Sequence, residues 1–284
     1  MTQSRPAAVL CPGPSLRETW LGRKRYDQVI AVNEAAAVIH EGWWLFHDAK
    51  AFRFSDAASH QLRLVSRASV LNRLAKDPGL AAAIASFRGV YLADLFLPKR
   101  MPRDFSAMGA SCLAVALGAT RIDMYGADWR GSASFDGCER GIRDAERWAI
   151  EAAVMQSLFS WLHRRFSVCV RRILPRGWLP EHGCELRVPE EGIPPSDAAF
   201  DEAGLRVLSP AVMEAGRVRF EDRADLHPVL AWPSVGYAAY LRAESISASG
   251  QAGAAAPALP VGNLVLSTGP GALQLQWSSR DQLR

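Results

Sequence analysis

The chain has 284 residues, 49% of them hydrophobic and 22% charged. That is enough to bury one large core or two smaller ones, and it excludes a disordered or fibrous chain. A net charge of +4 is too small to indicate a nucleic-acid binder, and no apolar run approaches the roughly 18 residues that span a bilayer.

Short apolar runs alternate with helical patterns through the first half. Ala7–Leu10 reads as a strand, followed by a Gly/Pro turn and a short helix. Gln28–Val32 is a second strand with the small-residue helix Glu34–His40 after it, and Trp43–Phe46 is a third. Arg63–Val65 and Val90–Leu92 are weaker strands on either side of a helical stretch, Val70–Ser86, which breaks near Asp77-Pro78-Gly79. Ala107–Leu117 is a helix stopped by Gly118, and Arg121–Tyr125 and Ser167–Arg171 are strands. Between Gly137 and His163 apolar residues recur at three- and four-residue steps (Ile142, Ala145, Ala149, Ala152, Met155, Phe159, Leu162), which predicts a long core helix.

Strands that alternate with helices call for a parallel sheet covered on both faces, and right-handed crossovers make it doubly wound. The fold class is therefore α/β, with a Rossmann-like, mostly parallel sheet over residues 1–175. A Pro-punctuated linker, 176–200, leads to a smaller β-rich region, 201–284. There, Gly216–Asp222, Val229–Trp232 and Tyr237–Ile246 read as strands, Ser247–Pro260 as a loop, and Asn263–Trp277 as a hairpin turning at Gly269-Pro270-Gly271.

Five cysteines, an odd number and without a C-x-x-C pair, read as reduced thiols in a cytoplasmic setting rather than as disulfides or a zinc site. The N-terminus has no apolar targeting segment.

Four constellations fall at the carboxyl ends of predicted strands, where open α/β sheets bind ligands. In Cys11-Pro12-Gly13-Pro14-Ser15, Gly13 permits a sharp turn. Ser15 and Glu18 form an S-x-x-E capping box that makes Ser15 the N-cap of a helix facing an anion. The alternative is a plain strand-to-helix turn. Asn33 either binds a ribose or phosphate or caps the next helix. His47-Asp48 places a carboxylate at a strand end, with an N-cap as the bland alternative for Asp48. Ser106 and Gly109 open a small-residue helix, and Gly126 and Asp128 end the following strand; tight helix–sheet packing is the alternative for Gly109. Arg164, Arg165, Arg171, Arg172 and Arg176 cluster near the domain's end, where a solvated edge explains them more simply than nucleic acid does.

The strand-one G-P-S-L loop, the Asn closing strand two, the S-x-x-G helix start and the G-x-D after the next strand together resemble the bacterial sialyltransferase family that uses CMP-sialic acid. The set is also similar to archaeal pterin diphosphokinase domains and to phage-encoded norphogenetic proteins. It covers roughly residues 7–130. The resemblance implies a nucleotide-sugar pocket lined by Gly13, Pro14, Ser15, Asn33, Ser106, Gly109, Gly126 and Asp128, to which the strand-end position adds Asp48 as a nucleotide-binding candidate. It implies transfer to a hydroxyl acceptor without a bound metal or cofactor, with the nucleotide-sugar, CMP-linked in the family, as substrate. The chain departs from the pattern at Cys11 and Pro12. It also has no His between Trp129 and Trp161, where the family carries its catalytic His. Asp128 and His47 are the candidate catalytic groups, with Asp136 and Asp144 as further candidates for the base. A degenerate transferase domain in a phage morphogenesis protein, with virion partners at the C-terminal region, is the alternative. It would place the chain in the host cytoplasm or the virion.

Overall fold

The computed structural model describes residues 5–22, 26–95, 105–139, 145–178, 200, 205, 207–208, 213, 217–223, 226–231, 262–269 and 272–279. Seven parallel strands form the body of one sheet: β1 (Pro6–Leu10), β2 (Gln28–Val32), β3 (Gly42–Leu45), β4 (Leu62–Ser66), β5 (Gly89–Leu92), β6 (Arg121–Tyr125) and β7 (Cys169–Ile173). Antiparallel β8 (Arg217–Arg223) and β9 (Leu226–Ala231) extend it beyond β5, giving the order β7-β6-β1-β2-β3-β4-β5-β8-β9. Register is pinned by the buried residues: Val9 faces Ile30 on one side and Met124 on the other. The fold is a doubly wound, Rossmann-like α/β sheet, as its strand pattern predicts.

β1 lies between β6 and β2 and is buried on both faces, so its sequence is a continuous apolar run rather than an alternation. Ala7, Val9 and Cys11 point into one core, and Ala8 and Leu10 into the other. The first core is covered by α4 (Ser106–Ala116) and α5 (Ala145–Phe166). From Ala107 to Ala116 every residue of α4 is buried, which explains its small, almost uniformly apolar make-up. The second core lies under α1 (Ser15–Thr19), α2 (Ala68–Leu74) and α3 (Pro78–Ala85), with Trp44, Phe46, Phe52 and Phe87 packed ring on ring.

Two expectations shift. The helix after β2 is a 3₁₀ turn, Asn33–Val38, because the connection to Gly42 is too short for the usual α-helical crossover. The long core helix α5 is described from Ala145, and Gly137 lies outside it in a turn with φ +80. Before it, the Phe135 amide and the Ser134 hydroxyl are both bonded to the Pro12 carbonyl, which pins that stretch as a loop over the first strand's end. Ile142 and the strand expected at Tyr237–Ile246 lie outside the described residues, as do the loop at Ser247–Pro260 and most of the Pro-rich linker. At the C-terminal end, β8 pairs with β5 through Val90 and Val218, and β10 (Gly262–Gly269) pairs with β11 (Ala272–Ser279) as the expected hairpin. No helix among the described residues is long and apolar enough to cross a membrane.

Candidate functional site

The winding direction reverses between β1 and β6, since β1 to β5 run outward on one side and β6 and β7 on the other. At such a switch point the connections leave on opposite faces and open a crevice outside the strands' carboxyl ends. A cavity of about 350 Å³ occupies it. Its wall comes from the ends of β1 (Cys11, Pro12, Gly13), β2 (Val32, Asn33, Glu34), β3 (His47, Asp48) and β6 (Gly126 to Ser134), together with the start of α4 (Ser106, Ala107) and the first turns of α5 (Arg147, Trp148, Glu151).

The loop after β1 is held by contacts that leave it no spare donors. The Cys11 amide donates to the Tyr125 carbonyl, Gly13 to Gly126, Leu16 to Gly13 and Arg17 to Pro14. Pro12 and Pro14 have no N–H. The Ser15 amide donates to Asp128 Oδ2 at 2.8 Å, and the Ser15 hydroxyl donates to Asp128 Oδ1. Every N–H from Cys11 to Arg17 is therefore used or absent. A carboxylate of the protein itself sits where the sequence places a phosphate.

The other readings of this loop change accordingly. Pro14 is the N-cap, and Ser15 is the first residue of a single-turn helix. Ser15 is fully buried, and Glu18 is exposed, so no capping box forms. Gly13 is required by close approach: a Cβ there would lie 2.4 Å from the Gly126 carbonyl oxygen and 2.6 Å from Asp128 Oδ2. Gly126 has φ +65 and would put a Cβ 2.1 Å from the Cys11 carbonyl oxygen.

Asn33 lines the cavity in the left-handed region, with φ 52. Its side chain caps no helix. Its Oδ1 is buried with no hydrogen-bond partner among the described residues, while its backbone carbonyl accepts from the Trp44 indole at 2.8 Å. His47 and Ser106 also line the cavity, joined by the His47 amide donating to the Ser106 hydroxyl at 3.3 Å. Asp48 is on the exposed rim and caps the 3₁₀ turn Ala49–Ala57 through the Lys50 amide, so its N-cap reading holds. Gly109 does not reach the cavity. It lies within α4, buried, its amide bonded to the Phe105 carbonyl, which is the packing alternative.

Asp128 is 3% exposed and both its oxygens engage Ser15. It braces the two central loops and is poorly placed to take a proton from an acceptor. Behind it, Arg172 donates to the Asp128 carbonyl oxygen at 3.1 Å and stacks its guanidinium 4.3 Å over the Trp129 ring. Burial lowers the pKa of Arg172, against the pull of Asp128. Burial also raises the Cys11 thiol far above its usual range, helped by the negative charges of Glu151 and Asp128 and opposed by Arg172. Cys11 is thus a neutral wall residue rather than a nucleophile.

The sequence did not single out Glu34 (9% exposed), Glu151 (8% exposed), Trp129, Ser134, Arg130, Arg147 or Trp148 as cavity residues. The Ser134 hydroxyl lies within hydrogen-bond distance of both the Pro12 carbonyl, at 2.9 Å, and Glu34 Oε1, at 3.2 Å. Trp148 donates to the Gly131 carbonyl at 2.9 Å, tying the β6 loop to α5. A Glu set between the apolar Ile150 and Ala152 of the helical pattern, one turn after Arg147, was the available signal. Among the described residues no group of three His, Cys, Asp or Glu side chains gathers to hold a metal. The five arginines do not form one surface: Arg171 is paired with Asp123 and Arg172 is turned toward Asp128.

No protein-family model and no curated protein matches the chain. Two solved structures are similar to it. The sialyltransferase CstII from Campylobacter jejuni, in complex with the substrate analogue cytidine-5'-monophosphate, has 13% identity and a TM-score of 0.39 over 71% of this chain and 98% of its own. A point mutant of CstII, described as an alpha-2,3/8-sialyltransferase, has 13% identity and a TM-score of 0.36 over 70% of this chain and 99% of its own.

Proposed function

We propose that the chain binds a nucleotide-sugar in the switch-point cavity and transfers the sugar to a hydroxyl acceptor. The observation that carries this reading is Asn33. A buried side-chain oxygen without a partner among the described residues, held in a costly backbone conformation against a polar cavity, is matched by a ligand that donates a hydrogen bond there. A ribose hydroxyl or a base amino group supplies such a donor.

In this arrangement the phosphate lies near Arg130 and Arg147 at the outer part of the cavity, since the β1 loop has no N–H to offer it. Ser106 gives a further polar contact, and Trp129 and Trp148 supply aromatic wall. Gly13, Gly126 and Asp128 shape the loops rather than touch the ligand's charge. His47, as an imidazole lining the cavity, takes the acceptor's proton.

Thermal unfolding in the presence of CMP, UDP, GDP and their sugar conjugates tests the reading. A ligand at 100 times its Kd adds about 2.7 kcal/mol of stability. Stabilisation by at least one nucleotide, weakened by Asn33→Ala, is the expected result. No shift with any of them at millimolar concentration overturns it.

A further inference from the structure

The loop after β6 is clasped by the strand beside it. Its consecutive residues Trp129 and Arg130 both line the cavity. The Arg172 guanidinium of β7 lies 4.3 Å over the Trp129 ring. The Arg130 guanidinium in turn lies 3.6 Å over the ring of Trp178, in the turn after β7. The Trp178 amide donates to the Pro175 carbonyl at 3.1 Å, and Gly177 closes that turn with φ +85. The backbone on either side of Arg130 is held as well: Arg172 donates to the Asp128 carbonyl at 3.1 Å, and the Trp148 indole donates to the Gly131 carbonyl at 2.9 Å. Arg130 is thus fixed along its backbone and across one face of its half-buried side chain. Trp178 is not among the lining residues and meets the site through Arg130.

Resting on the nucleotide-sugar reading, we infer that Trp178 is a positioning residue that presents Arg130 edge-on to the ligand's phosphate. A guanidinium stacks through its face and donates through its edge. Its five N–H groups lie in one plane as a fork, so the Trp178 ring takes up none of them. The edge can therefore serve a phosphate beside any partner in the protein. The restraint matters because the cavity is no simple basic patch. Glu34, Asp48, Asp128 and Glu151 line it together with Arg130 and Arg147. Asp128 is taken up by Ser15, Glu34 lies 3.2 Å from the Ser134 hydroxyl, Asp48 caps a turn on the rim, and Glu151 follows Arg147 by one turn of α5. Among so many carboxylates an unrestrained arginine would have other groups to meet, and it would lose rotamer freedom on meeting a phosphate. A stacked guanidinium has lost that freedom before the ligand arrives.

Nucleotides and their nucleosides separate a phosphate contact from the rest of the site. CMP, UDP and GDP are titrated against cytidine, uridine and guanosine on the purified full-length chain and its variants. Arg130→Ala should weaken nucleotide binding about tenfold or more, and Trp178→Ala about threefold or more, each with the nucleoside Kd unchanged. Trp178→Phe, which keeps a ring against the guanidinium, should restore most of the loss. Trp178→Ala added to Arg130→Ala should weaken binding no further, since its effect runs through that one side chain. Where a nucleoside binds too weakly to titrate, this double variant decides. A nucleotide Kd that Trp178→Ala leaves in place overturns the inference alone. So does a weakening shared equally by nucleoside and nucleotide, or one that persists in the Arg130→Ala background. If no nucleotide binds the unaltered chain, the nucleotide reading fails and this inference fails with it.

Discussion

Asn33 and Trp129 both hold φ near +50, a region that costs residues other than Gly about 1 kcal/mol or more. Each lines the cavity, and each is fixed by a neighbour: the Trp44 indole on the Asn33 carbonyl, the Arg172 guanidinium over the Trp129 ring. Asn33→Gly should relieve the first strain and raise unfolding stability by about 0.5–1 kcal/mol. The same substitution removes the unpartnered oxygen and should weaken nucleotide binding. Urea denaturation and ligand titration on one protein sample read both effects; a variant that gains stability and keeps its affinity would remove Asn33 from the site.

Asp128 makes a contrasting case. Asp128→Ala leaves the buried Ser15 amide and hydroxyl without acceptors and should cost about 3–5 kcal/mol. Asp128→Asn still accepts from the amide and can donate to the hydroxyl, so its cost should be about 1 kcal/mol, measured in the same denaturation experiment. Were Asp128 a catalytic base instead of a brace, Asn would abolish turnover at this small structural cost.

At the scale of elements, β6 is tied to β7 and to the chain ahead of β2 by one buried carboxylate. Asp123 is held by Arg171 through two bonds of 2.7 and 2.8 Å and by the Tyr26 hydroxyl at 2.9 Å. Burial by itself would raise the pKa of Asp123. The hydrogen bonds from Arg171 and Tyr26, and the positive charges of Arg121 and Arg171, outweigh it and hold the group below the usual carboxylate range. Its folded pKa is lowered, so its contribution is complete above the unfolded value of about 3.9 and is lost as pH falls through the folded one. Asp123→Asn should flatten the acid limb of stability against pH, followed by urea midpoints from neutral pH downward; an acid limb of unchanged slope would exclude the group.

The strands on either side of this network were legible in the sequence. Strands buried on both faces must be short apolar runs, and β1 and β2 are found where those runs fall, while β6 is found at the expected Arg121–Tyr125. The loop at 134–137, ahead of α5, was not legible. Bonds from Ser134 and Phe135 hold it to Pro12, more than a hundred residues away in the chain. Local pattern carries no trace of such a contact.

At the scale of the molecule, the cavity is assembled by residues from Cys11 to Glu151. The hairpin β10–β11 lies well after them in the chain and contributes no lining residue among those described. A chain ended at Ala231, which keeps β8 and β9 on the sheet, should bind nucleotide with an unchanged Kd by calorimetric titration. A loss of affinity in a truncated protein that still unfolds cooperatively would bring the C-terminal region into the site.

The sequence by itself determined the winding of the sheet and the strand ends at which ligand-facing residues gather, because hydrophobic periodicity and turn residues are local properties. It also placed Asn33, His47, Ser106 and Asp128 on one edge. Only the tertiary structure decided what those residues do. The Ser15 amide and hydroxyl meet Asp128 across 113 positions of chain, which turns an expected phosphate loop into a closed brace. Glu34 and Glu151 become neighbours of one cavity only once β2 and α5 are packed on the same sheet. Which donor a backbone N–H finds, and which charges share a cavity, depend on distance in space, and a linear pattern does not encode it.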